Sequence, residues 1–206
     1  MSTTAPGEFA VMVAGLTERT LRTQRSMKWG AVAPDVLPAW VAQMDFTPPA
    51  CIRAAITAQI DHGDTGYALG GGLGEAIAGW AKRHYGWHIA PEWVLLVPDL
   101  DFALAAAQRA YTAPGQGVVL NPPIYPPFRE IVECGSRTIV DVPMALGEAG
   151  WHLDLDALET AYRKGAKLHF LCHPHNPTGT VLPKEELGQI GQLADRHGVT
   201  VVADEV

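Results

Sequence analysis

The feature that most constrains this chain is an alternation of short, unbroken apolar runs with segments of helical spacing. Residues 94–97 (VLLV), 117–121 (GVVLN), 138–142, 168–172 (LHFLC) and 199–204 (VTVVAD) have the length and composition of buried strands. Residues 101–112, 154–163 and 184–197 carry apolar residues at helical spacing. So do 50–62 and 73–85 upstream, each bounded by Gly or Pro. Strands that are apolar on both faces need cover on both faces, and strands joined through helices run parallel. The expectation is an α/β fold, three layers of α/β/α around a mainly parallel sheet. No internal repeat or low-complexity segment competes with it.

The first fifty residues read differently. Trp29, Trp40, Met44 and Phe46 stand among Pro and Gly, which suggests an N-terminal arm or part of a smaller domain. The predicted division is 1–50 for that segment and 51–206 for the first part of a large domain. The last run leads into Asp204, Glu205 and Val206 at the edge of an unclosed sheet, so the large domain is expected to be incomplete in these residues.

Charge and composition remove several classes of function. Fifteen Lys and Arg against 22 Asp and Glu give a net charge of −7, and no basic run concentrates charge toward a phosphate backbone, so nucleic acid is not an expected partner. Apolar stretches are broken well before the ~20 residues of a bilayer crossing, and the N-terminus lacks a basic start followed by an apolar run. The reading is a soluble cytoplasmic protein with no membrane partner. Cys51, Cys134 and Cys172 lie far apart and are read as buried thiols rather than zinc or redox ligands. His173 and His175 have a spacing that can seed a metal site, but no second ligand cluster lies nearby in sequence, and no metal is expected.

In parallel α/β sheets ligands bind outside the carboxyl ends of the strands. Three such ends carry unusual loops: NPPIYPPF after Leu120, HPHNPTG after Cys172 and ADEV after Val202. Taken singly, these are turns. In combination with WVAQMDF at 40–46, GY at 66–67, APGQGVVLNPPIYPPF at 113–128, LCHPHNPTGTV at 171–181 and HGVTVVADEV at 197–206, they become specific. In this order they resemble the class I/II aminotransferase superfamily of fold-type I pyridoxal-phosphate (PLP) enzymes. Within it they are most similar to the bacterial cystathionine beta-lyase, or C-S lyase, subgroup. The resemblance runs from about residue 25 to the end.

The resemblance implies a cofactor, PLP, and a set of residues around it. Asp204 would stand against the pyridine nitrogen and keep it protonated. Asn176 would donate its amide to the phenolic oxygen, with Pro174 and Pro177 stiffening its loop. Tyr125, inside a Pro-rich segment, would stack on the ring. Asp99 and Leu100 open a helix whose N–H groups would receive the phosphate. Tyr67 would reach the phosphate of a neighbouring subunit, because such sites are built at a homodimer interface. Plainer readings stand beside these: a strand-end Asp, a turn Asn, a core Tyr, an ordinary N-cap at Asp99 or Asp101, and a loop Tyr.

Two segments depart from the subgroup. Gln43 replaces the acid usual in the WVA-x-MDF segment, and the acids Asp99 and Asp101 occupy a turn where relatives carry small or neutral residues. The Schiff-base lysine is a further point. The lysines are Lys28, Lys82, Lys164, Lys167 and Lys184, and none follows Asp204, where the family places it. The resemblance therefore implies that these residues alone do not turn over substrate. A PLP-dependent C-S beta-lyase acting on a sulfur amino acid, as part of a longer chain, is the leading reading. An aminotransferase and a truncated non-catalytic fragment are the alternatives.

Overall fold

The computed structural model describes residues 12–67, 69–148 and 150–206, in two compact units, Met1–Gly71 and Gly72–Val206. In the N-terminal unit two single-turn helices, α1 (Glu18–Leu21) and α2 (Met27–Gly30), begin at Thr17 and Ser26, whose hydroxyls accept the N–H groups of Thr20 and Trp29. Trp29 is buried, and its Nε1 donates to Asp45 Oδ1 at 2.7 Å. Lys28 Nζ donates to Asp45 Oδ2 at 2.8 Å and to the Gln43 carbonyl at 3.2 Å. The hydrogen bond from Lys28, then that from Trp29, holds the Asp45 carboxyl below the usual carboxylate range. Asp45, in the WVAQMDF segment, is thus a clamp on α2. The longest helix of this unit, α3 (Ala50–His62), ends at Gly63, whose left-handed φ of 75° turns its N–H back to the Gln59 and Ile60 carbonyls.

The C-terminal unit contains helix α4 (Leu73–Tyr85), a 3-10 turn (Pro91–Trp93), α5 (Leu100–Tyr111), β1 (Gly117–Leu120), α6 (Pro127–Cys134), β2 (Thr138–Asp141), β3 (Met144–Gly147), β4 (Gly150–Leu153), α7 (Leu155–Arg163), β5 (Leu168–Cys172), α8 (Lys184–His197) and β6 (Thr200–Asp204). Four strands form a sheet in the order β2-β1-β5-β6, every pair parallel, while β3 and β4 make a separate antiparallel pair.

Alternation along the central strands sends side chains to two faces. Val118, Leu120, Leu168 and Phe170 join Leu104 of α5 and Phe128 and Val132 of α6 in one buried cluster. Val119 and Leu171 join Leu158 and Tyr162 of α7 and Ile190, Leu193 and Ala194 of α8 in the other. The sheet is therefore covered on both sides, which is the three-layer α/β/α arrangement its apolar strands demand. Among the described residues no helix is long and apolar enough to cross a membrane.

Three expectations change. VLLV at 94–97 is not a strand: among the described residues no strand pairs with it, and Leu95 and Leu96 are 80% and 61% exposed. An apolar run supplies side chains but not the neighbouring ladder that defines a strand. Of the three thiols only Cys172 is buried, because Cys51 and Cys134 lie on outward faces of α3 and α6. Finally, α6 and the β3–β4 hairpin emerge largely from segments for which the sequence pattern assigned no element. In α6 the apolar Phe128, Ile131 and Val132 follow helical spacing, but the helix opens directly from a proline run that reads as a breaker.

Candidate active site

Because β1, β5 and β6 are parallel, the loops that follow them leave the same edge of the sheet. Tyr125 comes five residues after the end of β1, Asn176 four after the end of β5, and Asp204 is the last residue of β6. Helix α5 adds its N-terminus to this edge. Its C-cap Thr112 accepts a 2.9 Å hydrogen bond from Nε of Arg137, just ahead of β2, so its C-terminus is at the amino edge of the sheet. The helix packs on β5 and β6 with Asp99 and Leu100 at its opposite end.

The structure places Asp204 and the start of the Asn176 loop on either side of Cys172. Asp204 is in register with Cys172, and its carbonyl accepts the His173 N–H at 2.9 Å. Cys172 Sγ accepts the Asn176 N–H at 3.4 Å. Burial raises the Cys172 thiol pKa, the Asn176 N–H lowers it, and the Asp204 charge raises it further. Cys172 was not singled out from sequence, although its place as the last residue of a buried strand was visible. The Asn176 side chain is exposed and has no hydrogen-bond partner among the described residues, so its amide is free to donate. Tyr125 is 46% exposed, and its carbonyl accepts the Phe128 N–H at 3.2 Å as α6 begins.

Asp99 is the N-cap of α5, with Oδ1 accepting the Phe102 N–H at 2.7 Å, and Leu100 is the first helical residue. The plainer reading of Asp99 thus describes its side chain. An anion at this helix end would share the first turn with that carboxylate and with Asp101. Tyr67 lies in the N-terminal unit, fully exposed.

Behind the loops lies a buried polar network. His169, the second residue of β5, is fully buried and faces Asn121 Oδ1 at 2.8 Å and the Tyr162 hydroxyl at 2.6 Å. Asn121 uses Nδ2 to donate to the Val142 carbonyl at 3.0 Å, so its oxygen faces His169, and His169 carries its proton on Nε2. Nδ1 then accepts from Tyr162. His175 repeats the logic: Nε2 donates to the Asn121 carbonyl at 3.0 Å and Nδ1 accepts from Thr178 Oγ1 at 2.9 Å. Burial pushes the His169 pKa down to about 3, lowers that of His175 and raises that of Tyr162. His173 Nε2 accepts the Leu182 N–H at 3.0 Å. The HPH histidines therefore spend ring nitrogens on holding their own loop. Sequence reasoning missed Asn121, Tyr162 and His169. The signal was a histidine inside an otherwise apolar strand and an asparagine closing another.

Lys164 and Lys167 precede β5 and stand at the amino edge, opposite the Asp204 edge. Lys28 is engaged by Asp45.

The family profile described as aminotransferase class I and II matches residues 41–206. The cystathionine beta-lyase PatB of Bacillus subtilis (strain 168) is 38% identical over 196 residues, 92% of this chain and 50% of that protein. Among solved structures, cystalysin from Treponema denticola, which contains a pyridoxal 5'-phosphate cofactor, superposes with a TM-score of 0.81 at 26% identity over 93% of this chain and 50% of its own. The N-succinyldiaminopimelate aminotransferase of Mycobacterium tuberculosis superposes with a TM-score of 0.74 at 34% identity over 79% and 43%. The chain thus spans about half the length of the relatives it matches.

Proposed function

Since this chain belongs to the class I and II aminotransferase family, we propose that it forms the N-terminal part of a PLP-dependent C-S beta-lyase, cleaving a sulfur amino acid such as cystathionine to pyruvate, ammonia and a thiol. The observation that supports this reading is that Asp204, in register with Cys172, and Asn176, whose N–H is accepted by Cys172 Sγ, lie at neighbouring strand ends on the carboxyl edge of a doubly covered parallel sheet. The 38% identity to a cystathionine beta-lyase directs it toward the lyase subgroup.

The donor set suits the cofactor. PLP, when bound, supplies an electron sink that lets a bond to the amino-acid α-carbon break. Asp204 offers a carboxylate to keep a proton on the ring nitrogen, and its backbone is fixed by strand pairing with β5. Asn176 offers the free amide donor for the phenolic oxygen. Tyr125 offers an aromatic face. The first N–H groups of α5, beginning at Leu100, point toward an anion, although the Asp99 carboxylate already takes the Phe102 N–H. In this reading Tyr67 completes the phosphate contacts of a second copy in a cytoplasmic homodimer. The anchoring lysine lies outside these 206 residues, a view supported by the position of Lys164 and Lys167 at the opposite edge.

A second reading, an aminotransferase, is favoured by the similarity to the N-succinyldiaminopimelate enzyme. One measurement separates them: pyruvate released from cystathionine by the full-length protein with and without added 2-oxoglutarate. The expected result is pyruvate and ammonia without the keto acid. Strict dependence on it, with glutamate appearing, establishes the aminotransferase. In the same assay Asp204→Ala is expected to lose most activity and Asp204→Glu to retain some; equal activity of Asp204→Ala and wild type removes Asp204 from the site.

A further inference from the structure

We propose that His169 is a positioning residue for this site: through Asn121 it holds the loop that carries Tyr125 against the loop that carries Asn176. The inference rests on the cofactor reading above and adds a residue to it. Asn121 makes three hydrogen bonds to three separate segments: its side chain accepts from His169 on β5 and donates to the Val142 carbonyl after β2, and its own carbonyl accepts from His175 in the loop after β5. Tyr125 follows Asn121 by four residues, and Asn176 follows His175 by one. A small error in the Asn121 side chain therefore propagates into both loops at once.

Among the described residues His169 is the partner of Asn121 Oδ1, while Asn121 Nδ2 is committed to the Val142 carbonyl. Its own orientation is set from behind by Tyr162, whose hydroxyl reaches Nδ1 at 2.6 Å and so leaves the proton on Nε2. Tyr162 is itself buried in the α7 face of the core. Burying a histidine, an asparagine amide and a phenol is costly unless each is paired, and here each has its partner, with the proton direction fixed at every link. The result is a directional chain from core to loop, whereas an apolar residue at 169 would fill the space and leave Asn121 Oδ1 and the Tyr162 hydroxyl without partners.

The test compares wild type, His169→Leu and His169→Gln in the full chain, by amide hydrogen exchange and by spectrophotometric titration with PLP. Gln keeps a donor for Asn121. In His169→Leu, residues 121–128 and 173–182 are expected to exchange about tenfold faster while α8 keeps its protection, and PLP binds about tenfold more weakly; His169→Gln restores most of both. Uniformly faster exchange in all strands without rescue by Gln, or no change in the two loops, overturns the proposal. If Asp204→Ala weakens PLP binding and His169→Leu does not, this inference falls and the cofactor reading stands. If wild type binds no PLP, the cofactor reading falls with the role assigned to His169 in it. Should His169→Leu fail to fold, Tyr162→Phe, which removes only the hydroxyl at Nδ1, is judged by the same outcomes.

Discussion

Helices α3 and α8 carry almost the same local instructions and meet opposite fates. One has thirteen residues and the other fourteen; each starts after a proline, Pro49 or Pro183, with no side-chain cap, and each closes on a left-handed glycine, Gly63 or Gly198. Each also carries an apolar stripe. In α8, Ile190, Leu193 and Ala194 are buried in the core cluster beneath the sheet. In α3, Ile52, Ile56 and Ile60 repeat every four residues and all are exposed, and no residue of the helix is buried. Start and stop signals thus define both helices, but only a sheet face converts the stripe of one into stability. An isolated helix of this length is marginal in water, since most helical stability in proteins comes from packing.

The strongest way to break the contrast is to damage the sheet. Phe170 of β5 is fully buried and meets Phe128 of α6 edge-on, with ring centroids 6.1 Å apart. Phe170→Ala is expected to cost about 3–5 kcal/mol in urea unfolding, from lost transfer energy and the cavity left behind. A cost below about 1 kcal/mol in that experiment means the C-terminal unit does not depend on its sheet as argued.

Acid sharpens the contrast by acting on the two units at different pH. His169, with its folded pKa depressed to about 3 from 6.5, is neutral in the fold and takes up a proton more readily when unfolded. Its contribution is complete above the unfolded value and is lost as pH falls from about 6.5 toward 3, at up to about 1.4 kcal/mol per pH unit. His175 shifts in the same direction and adds to the effect. In the N-terminal unit the lowered Asp45 carboxyl contributes above its ordinary 3.8 and loses that contribution only below it. Amide protection factors, corrected for the intrinsic exchange rate at each pH, are expected to fall first around β5 and the 173–182 loop between pH 7 and 4, with the Lys28–Asp45 contact unaffected. Simultaneous loss in both units contradicts this assignment.

The smallest expected effect is the most direct check on α3. Ile56→Ala removes an exposed side chain, and its change in stability is expected to stay within about 0.5 kcal/mol in chemical denaturation, because little apolar area leaves water there. A loss of 2 kcal/mol or more shows that Ile56 is covered.

Much of this molecule was legible before its fold was known. The strand LHFLC spans 168–172 as read, and the helices 50–62, 73–85 and 184–197 match residue for residue, since their apolar spacing and flanking Gly and Pro are local properties. VLLV failed because pairing is not a local property, and α6 was hidden because proline at a helix start looks the same as proline in a loop. For the proposed site, Asn176, Tyr125 and Asp204 were singled out because the loops that carry or adjoin them have unusual composition. The network behind them could not be: Asn121, Tyr162 and His169 are spread along the chain, with Asn121 and His169 48 residues apart, and become neighbours only when β1 and β5 pair and α7 folds across them. The chain by itself determined most of the helices and the buried strands, because propensity, capping and apolar period act within a few residues. Only the tertiary structure decided which apolar stripes are buried and which polar side chains share hydrogen bonds, because burial and directional pairing require a partner surface that distant parts of the sequence supply.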